Sequence, residues 1–120
     1  METILIVDDD PLERNMLVRS LTEAKYAVLE ASSASEAVRI SSLFEGKIHV
    51  VVLTYPSGLH IARDIAAVRP NVAFLLTSAS PLEQLASVSQ STTIKFEFLH
   101  KPFFPTVLTL KVREMLNTIR

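Results

Sequence analysis

Acidic, hydroxyl and amine side chains follow several apolar runs of this sequence, at positions where β-strands are expected to end. Asp8 and Asp9 follow the first run, Thr77 follows the fourth and Lys101 follows the fifth. Carboxylates suit a hard divalent cation such as Mg²⁺. A hydroxyl can orient a phosphoryl oxygen, and the Lys101 ammonium could pair with either acid. The pattern predicts that these groups converge at one edge of a sheet and form a candidate site.

Five short apolar runs must position these groups, and helical patterns lie between them. The most apolar runs do not alternate with polar residues, which favours strands covered on both faces, as in a parallel sheet. The alternation of strand and helix predicts an α/β fold with helices on both faces of a five-stranded parallel sheet. It also predicts one domain over residues 1–120. The predicted strands span residues 4–7, 27–31, 50–53, 72–76 and 96–99.

The helix starts carry capping signals. Asp10, followed by proline and then by glutamate at the third helical position, predicts the start of the first helix. Ser33 predicts the start of the second, and a similar pattern at Ser80 predicts a fourth helix. The apolar spacing places Leu12 on the inward face of the first helix. Gly46 is predicted to end the second helix.

The composition excludes several classes of function. The net charge is -1, with no basic excess, which argues against a nucleic-acid surface on this domain. The sequence has no cysteine, so a disulfide framework and a thiolate metal site are excluded. It contains no apolar run long enough to span a bilayer and no signal-peptide pattern. We therefore expect a cytoplasmic domain that binds neither membranes nor nucleic acid.

Three segments resemble the receiver domain of bacterial two-component response regulators. They are residues 4–11 (ILIVDDDP), 69–77 (RPNVAFLLT) and 98–103 (FLHKPF). Each segment alone is modest, but their order and spacing on the five-fold β–α pattern make the resemblance specific over nearly the whole chain. The resemblance implies a (βα)5 flavodoxin-like three-layer sandwich.

The resemblance also implies roles for individual residues. In the family, these residues form an acidic pocket, a pair of switch residues and a loop with a cis peptide bond before its proline. The acidic pocket maps to Asp8 and Asp9 with Lys101, the switch to Thr77 and Phe98, and the cis-proline to Pro102.

The family's phosphoryl-accepting aspartate is missing from this sequence. It should close the third strand, where the chain has Thr54, and no acid lies between Lys47 and Arg63. The connection to the next helix, residues 55–57, is also shorter than in the family. Because an acyl phosphate needs a carboxylate nucleophile, we predict a pseudo-receiver that is not an enzyme. It would act in a phosphorelay pathway through protein–protein interaction, independently of phosphorylation.

Two alternatives remain open at this point. In the first, the domain is still phosphorylated, but at a hydroxyl acceptor such as Thr54 or Ser57, which would require a kinase other than a histidine kinase. In the second, the domain binds a small molecule within a flavodoxin-like architecture. Nothing supports the second directly, because the chain has only two glycines and no glycine-rich phosphate loop.

The remaining expectations concern the metal and the partner. Without the third carboxylate, Asp8, Asp9 and Lys101 leave one net negative charge, so we expect Lys101 to pair with an acid and Mg²⁺ to bind weakly or not at all. We expect no cofactor. The candidate partner surface is Phe103 and Phe104, because two adjacent loop residues seldom bury together. This surface would bind a partner protein or an attached output domain. A second copy of the chain could instead bind through the face formed by the fourth helix, the fifth strand and the fifth helix.

Overall fold

The computed structural model describes residues 1–80 and 93–119. Its centre is a sheet of five strands, all of which pair in parallel. The strands are β1 (Thr3–Val7), β2 (Ala27–Ala31), β3 (Val50–Thr54), β4 (Ala73–Ser78) and β5 (Phe96–His100). Their order across the sheet is β2-β1-β3-β4-β5. Each observed strand lies within two residues of its predicted bounds.

Helices connect the strands and follow the last one. They are α1 (Pro11–Glu23), α2 (Ala34–Leu43), α3 (Gly58–Val68) and α4 (Pro105–Ile119). The helix predicted to start at Ser80 falls on residues outside the described ranges, so α4 is the helix predicted as the fifth. Among the described helices, none is long and apolar enough to cross a membrane.

The helix boundaries follow from side-chain capping. The Asp10 carboxylate accepts hydrogen bonds from the backbone N–H groups of Leu12 and Glu13, at 3.0 and 3.5 Å. The Ser33 hydroxyl accepts one from the Glu36 N–H at 3.2 Å. These bonds satisfy N–H groups that have no partner within the helix. The prediction that Gly46 ends the second helix is wrong, because α2 already ends at Leu43.

The core has two parts, one on each face of the sheet. Successive residues of a strand point to opposite faces. Ile4 and Ile6 therefore pack with α1 and α4, whereas Leu5 and Val7 pack with α2 and α3. This double coverage explains why the central strands are continuously apolar, and it confirms the predicted three-layer α/β sandwich.

Leu12 departs from the predicted apolar face of the first helix. Its side chain is 83% exposed, although Met16, one turn later, packs against the core. The reason is its position around the helix, which it shares with the exposed Arg19 about two turns later. The buried residues Leu17 and Leu21 lie on a different side of α1, so the apolar spacing assigned Leu12 to the wrong face.

Gly58 lies where α3 begins close to the end of β3. A Cβ atom at this position would lie 2.8 Å from Leu53 Cβ and 3.0 Å from Leu76 Cδ1. Any larger residue would therefore force the helix away from the sheet. The short connection of residues 55–57 thus brings the first turn of α3 against the strand, and only glycine fits there without displacement.

Candidate functional site

The strand register brings the carboxyl ends of the strands to one edge of the sheet. Thr54 of β3 pairs with Thr77 of β4, and the next residue of β4, Ser78, pairs with the last residue of β5. Beyond these pairs, the Tyr55 N–H donates to the Thr77 carbonyl at 2.9 Å and the Lys101 N–H donates to the Ser78 carbonyl at 2.8 Å. Ligands bind at this edge in open α/β sheets. We call it the rim, meaning the ends of the strands and the residues that directly follow them.

Two peptide bonds next to the rim are cis. One is Lys101–Pro102, the bond for which the family resemblance implied this form. The other, Tyr55–Pro56, lies in the short connection after β3 and had no counterpart in the sequence prediction.

Asp8 and Asp9 have different environments, although they are adjacent. Asp8 is 5% exposed, and its Oδ1 accepts a hydrogen bond from the Asp10 N–H at 2.9 Å. Its Oδ2 is buried and, within the described part of the chain, has no hydrogen-bond partner. The Asp9 side chain is exposed. The rim therefore contains one buried acid and one acid in solvent.

The buried position changes the acidity of Asp8. Burial raises its pKa from 3.8 to about 6, because a carboxylate is poorly stabilised away from water. The Asp10 N–H lowers the pKa, whereas the neighbouring Glu13 carboxyl raises it, and Lys101 has a smaller lowering effect. Asp8 thus holds a proton more readily than an ordinary aspartate does.

Lys101 pairs with an acid, as expected, but the acid is neither Asp8 nor Asp9, the two candidates that the sequence suggested. Its Nζ lies 2.6 Å from Oε1 of Glu13, in the first turn of α1. The sequence interpretation assigned Glu13 only to helix capping. Its position so soon after β1 was the missed signal, since it places a third carboxylate at the rim. Asp8, Asp9 and Glu13 together with Lys101 have a formal charge of -2, whereas Asp8, Asp9 and Lys101 alone have -1.

The hydroxyl groups of the rim are directed to backbone atoms. The Thr77 side chain is buried and donates to the Leu53 carbonyl at 3.2 Å. Ser57 is exposed and its hydroxyl donates to the Thr54 carbonyl at 3.5 Å. Thr54 itself is half-buried, and in the described ranges no hydrogen bond joins its hydroxyl to a histidine or a carboxylate. Within residues 1–80 and 93–119, no general base is therefore in place for Thr54.

The rim does not fit Mg²⁺ as a receiver pocket would. Among residues 1–80 and 93–119, no group of three acidic or histidine side chains is arranged to hold a metal ion. Glu13 is engaged by Lys101, and the Asp9 side chain is exposed. Within the described residues, the rim carboxylates therefore do not form a metal-binding set.

The phenylalanines near β5 divide into packed and exposed residues. The Phe98 ring lies 6.3 Å from that of Phe96, and both pack against the core on the α2–α3 face. Phe103 packs against the core on the α1–α4 face. Phe104, the next residue, is 77% exposed. Of the two residues of the candidate partner surface, Phe104 presents most of the apolar area.

Comparison with known proteins relates the chain to bacterial signalling proteins. No family model matches it. It is 31% identical to the sensor kinase CckA of Brucella abortus, over 96% of the chain and 12% of that protein. It is 30% identical to the aerobic respiration control protein ArcA of Escherichia coli K12, over 95% of the chain and 48% of that protein. The chain thus spans less than half the length of these curated relatives.

Solved structures show the same architecture. A response regulator receiver protein from Sinorhizobium medicae superimposes with a TM-score of 0.81 at 26% identity, covering 99% of this chain and 97% of that one. A receiver domain protein from Clostridium thermocellum gives a TM-score of 0.84 at 24% identity, covering 98% of this chain and 96% of that one. The predicted (βα)5 flavodoxin-like class is thereby confirmed.

Proposed function

The chain is a receiver domain of the two-component response-regulator type, and from this premise we propose that it signals through protein–protein interaction without phosphorylation at β3. The observation that carries the proposal is Thr54, which closes β3 where the family has its phosphoryl-accepting aspartate. Acyl phosphate formation needs a carboxylate nucleophile, and a threonine hydroxyl cannot supply one.

Two further features of the rim support this proposal. Residues 55–57 form a short connection, and Gly58 packs directly against β3, which leaves less chain around the acceptor position than in the family. Lys101 is already held by Glu13 at 2.6 Å. The groups that would surround a phosphoryl group are therefore replaced, shortened or engaged elsewhere.

Phosphate analogues test the proposal directly. We expect that acetyl phosphate or beryllofluoride, added with Mg²⁺, leaves the amide NMR spectrum of the domain unchanged, because the rim has no acceptor carboxylate on β3. A receiver that retains its acceptor aspartate, treated in parallel, should show large shifts. Shifts in this domain that cluster at Asp8, Thr54, Thr77 and Lys101 would contradict the proposal.

The second candidate function is phosphorylation of a hydroxyl group. The exposed Ser57 favours it, because its hydroxyl is accessible next to the acceptor position, whereas Thr54 is half-buried. In this case the kinase would have to be one that phosphorylates hydroxyl groups. Mass spectrometry of the domain purified from its native cells, compared with a Ser57→Ala variant, would detect such a modification.

We assign the partner surface to Phe104, together with the adjoining part of Phe103. Phe104 directly precedes α4, and its carbonyl accepts from the N–H groups of Val107 and Leu108, so its backbone position is well defined. Aromatic side chains are enriched at protein interfaces relative to the rest of the surface. The occupant would be a protein partner or an attached output domain, with a second copy of the chain as the alternative.

Replacing Phe104 with alanine is expected to weaken partner binding by about tenfold or more, the effect typical of a buried aromatic anchor. The partner would first be identified by photo-crosslinking from position 104, and its affinity then measured by calorimetry. Leu43→Ala is the matched control, because Leu43 is also a large exposed side chain, at the end of α2. Equal affinities for Phe104→Ala and the unmodified domain would remove Phe104 from the interface.

A further inference from the structure

The ion pair of Glu13 and Lys101 is short and partly covered by protein. The Nζ to Oε1 distance is 2.6 Å, and each side chain is 23% exposed. The backbone at Glu13 is held in place, because the Asp10 carboxylate accepts from the Leu12 and Glu13 N–H groups and Pro11 occupies the first helical position. The pair therefore joins Lys101 to a well-anchored helix start.

The pair joins α1 to the loop that follows β5. The backbone of Lys101 is bound to β4 through its N–H, which donates to the Ser78 carbonyl at 2.8 Å. Its side chain is bound to α1 through Glu13. Two residues later, Phe103 packs into the core face that also contains Met16 of α1. The loop is thus attached to β4, to α1 and to the core, and Phe104 emerges from it into solvent.

We propose that Glu13 is a built-in counter-ion for Lys101, which keeps the loop of residues 101–104 and the exposed Phe104 in one position without any phosphoryl group. This inference rests on the proposed function and adds to it the means by which the partner surface is presented. Thr54 brings no charge to the rim, Asp9 is exposed, and Asp8 lies next to Glu13 without a bond to Lys101. The carboxylate that holds the lysine therefore comes from α1 rather than from β3.

Competitive labelling of lysines tests the proposal on the intact domain. With a trace of acetic anhydride, Lys101 should acylate more slowly than the exposed Lys25. In Glu13→Gln, the ratio of Lys101 to Lys25 labelling should rise on the order of fivefold, because the ammonium is released into solvent. The amides of residues 101–104 should exchange hydrogen faster in the same variant.

Matched variants keep the test specific. Asp9→Asn removes an exposed acid from the same rim and should leave Lys101 labelling unchanged. Labelling of Lys111, which Glu97 holds at 2.9 Å, should stay constant in Glu13→Gln and shows that β5 and α4 remain packed. The proposal is overturned if Glu13→Gln does not change the ratio, or if Asp8→Asn rather than Glu13→Gln releases Lys101.

The labelling result is independent of the phosphate experiment. If acetyl phosphate leaves the NMR spectrum unchanged but Lys101 is acylated as fast as Lys25, the proposed function stands and the counter-ion role of Glu13 is wrong. If Lys101 is acylated slowly but acetyl phosphate shifts the NMR spectrum, the counter-ion role of Glu13 stands and the proposed function is wrong. Each outcome therefore identifies which of the two statements fails.

Discussion

Replacing Arg69 with alanine should lower the free energy of unfolding by about 3 kcal/mol, a change on the order of 10 °C in the melting temperature. Arg69 follows α3, and its guanidinium donates to three carbonyls at the end of α2. Nε and Nη1 lie 2.6 Å from the oxygens of Ser41 and Gly46, and Nη2 donates to Phe44. The guanidinium also lies 5.8 Å from the centre of the Phe44 ring.

The physical reason is that a helix leaves its last carbonyls without partners. A cation there satisfies them and interacts favourably with the negative end of the helix dipole. Chemical denaturation monitored by circular dichroism measures the effect. Arg69→Lys should lose an intermediate amount, because lysine keeps the charge but not the planar set of donors. Arg63→Ala, at an exposed arginine of α3, should change stability by less than about 0.5 kcal/mol. An equal loss in Arg63→Ala and Arg69→Ala would contradict this account.

Replacing Asp8 with asparagine should stabilise the domain by about 2 kcal/mol above pH 7. Burial raises the pKa of Asp8 to about 6 in the folded state, and the neighbouring Glu13 carboxyl also raises it. A raised pKa favours the folded state below pH 4, and this advantage is lost as the pH rises through 6. Asparagine carries no charge at any of these pH values, so it avoids the loss. Its oxygen can still accept from the Asp10 N–H.

The pH dependence distinguishes this effect from a general change in packing. The quantity to compare is the free energy of unfolding of Asp8→Asn minus that of the unmodified domain. This difference should be small near pH 4 and should grow to its full value between pH 4 and 7. Taking the difference removes the opposite contribution of His49, whose pKa is lowered by burial and by the charge of Lys47. Asp9→Asn, at an exposed site, is the control. A difference that stays constant across this range would contradict the assignment to Asp8.

Most of the described strands and helix starts could be predicted from the sequence, because they depend on residues close together in the chain. Strands appear as apolar runs because both faces of the sheet are covered, and helix starts appear as caps because the first N–H groups need acceptors. The predictions that were wrong concern the end of one helix and the inward face of another. Gly46 was expected to end α2, but the helix ends at Leu43, and Leu12 lies on the exposed side of α1 rather than on its buried face.

The candidate site was predicted in its location and only partly in its contacts. Parallel strands end at a common edge, so the positions of Asp8, Thr54, Thr77 and Lys101 followed from the order of the elements. The partner of Lys101 did not follow, because several acids lie within reach of a long side chain and the sequence does not contain the distances between them.

By itself, the sequence determined the α/β class, the strand positions, the helix caps and the absence of an acid at Thr54. Each of these depends on residue type and on spacing over a few positions. The tertiary structure decided that Glu13 holds Lys101, that Arg69 closes the end of α2 and that Asp8 is buried, with no hydrogen-bond partner for its Oδ2 among the described residues. These outcomes depend on distances between elements far apart in the chain, and on how much water remains between them, and both are set only when the layers pack.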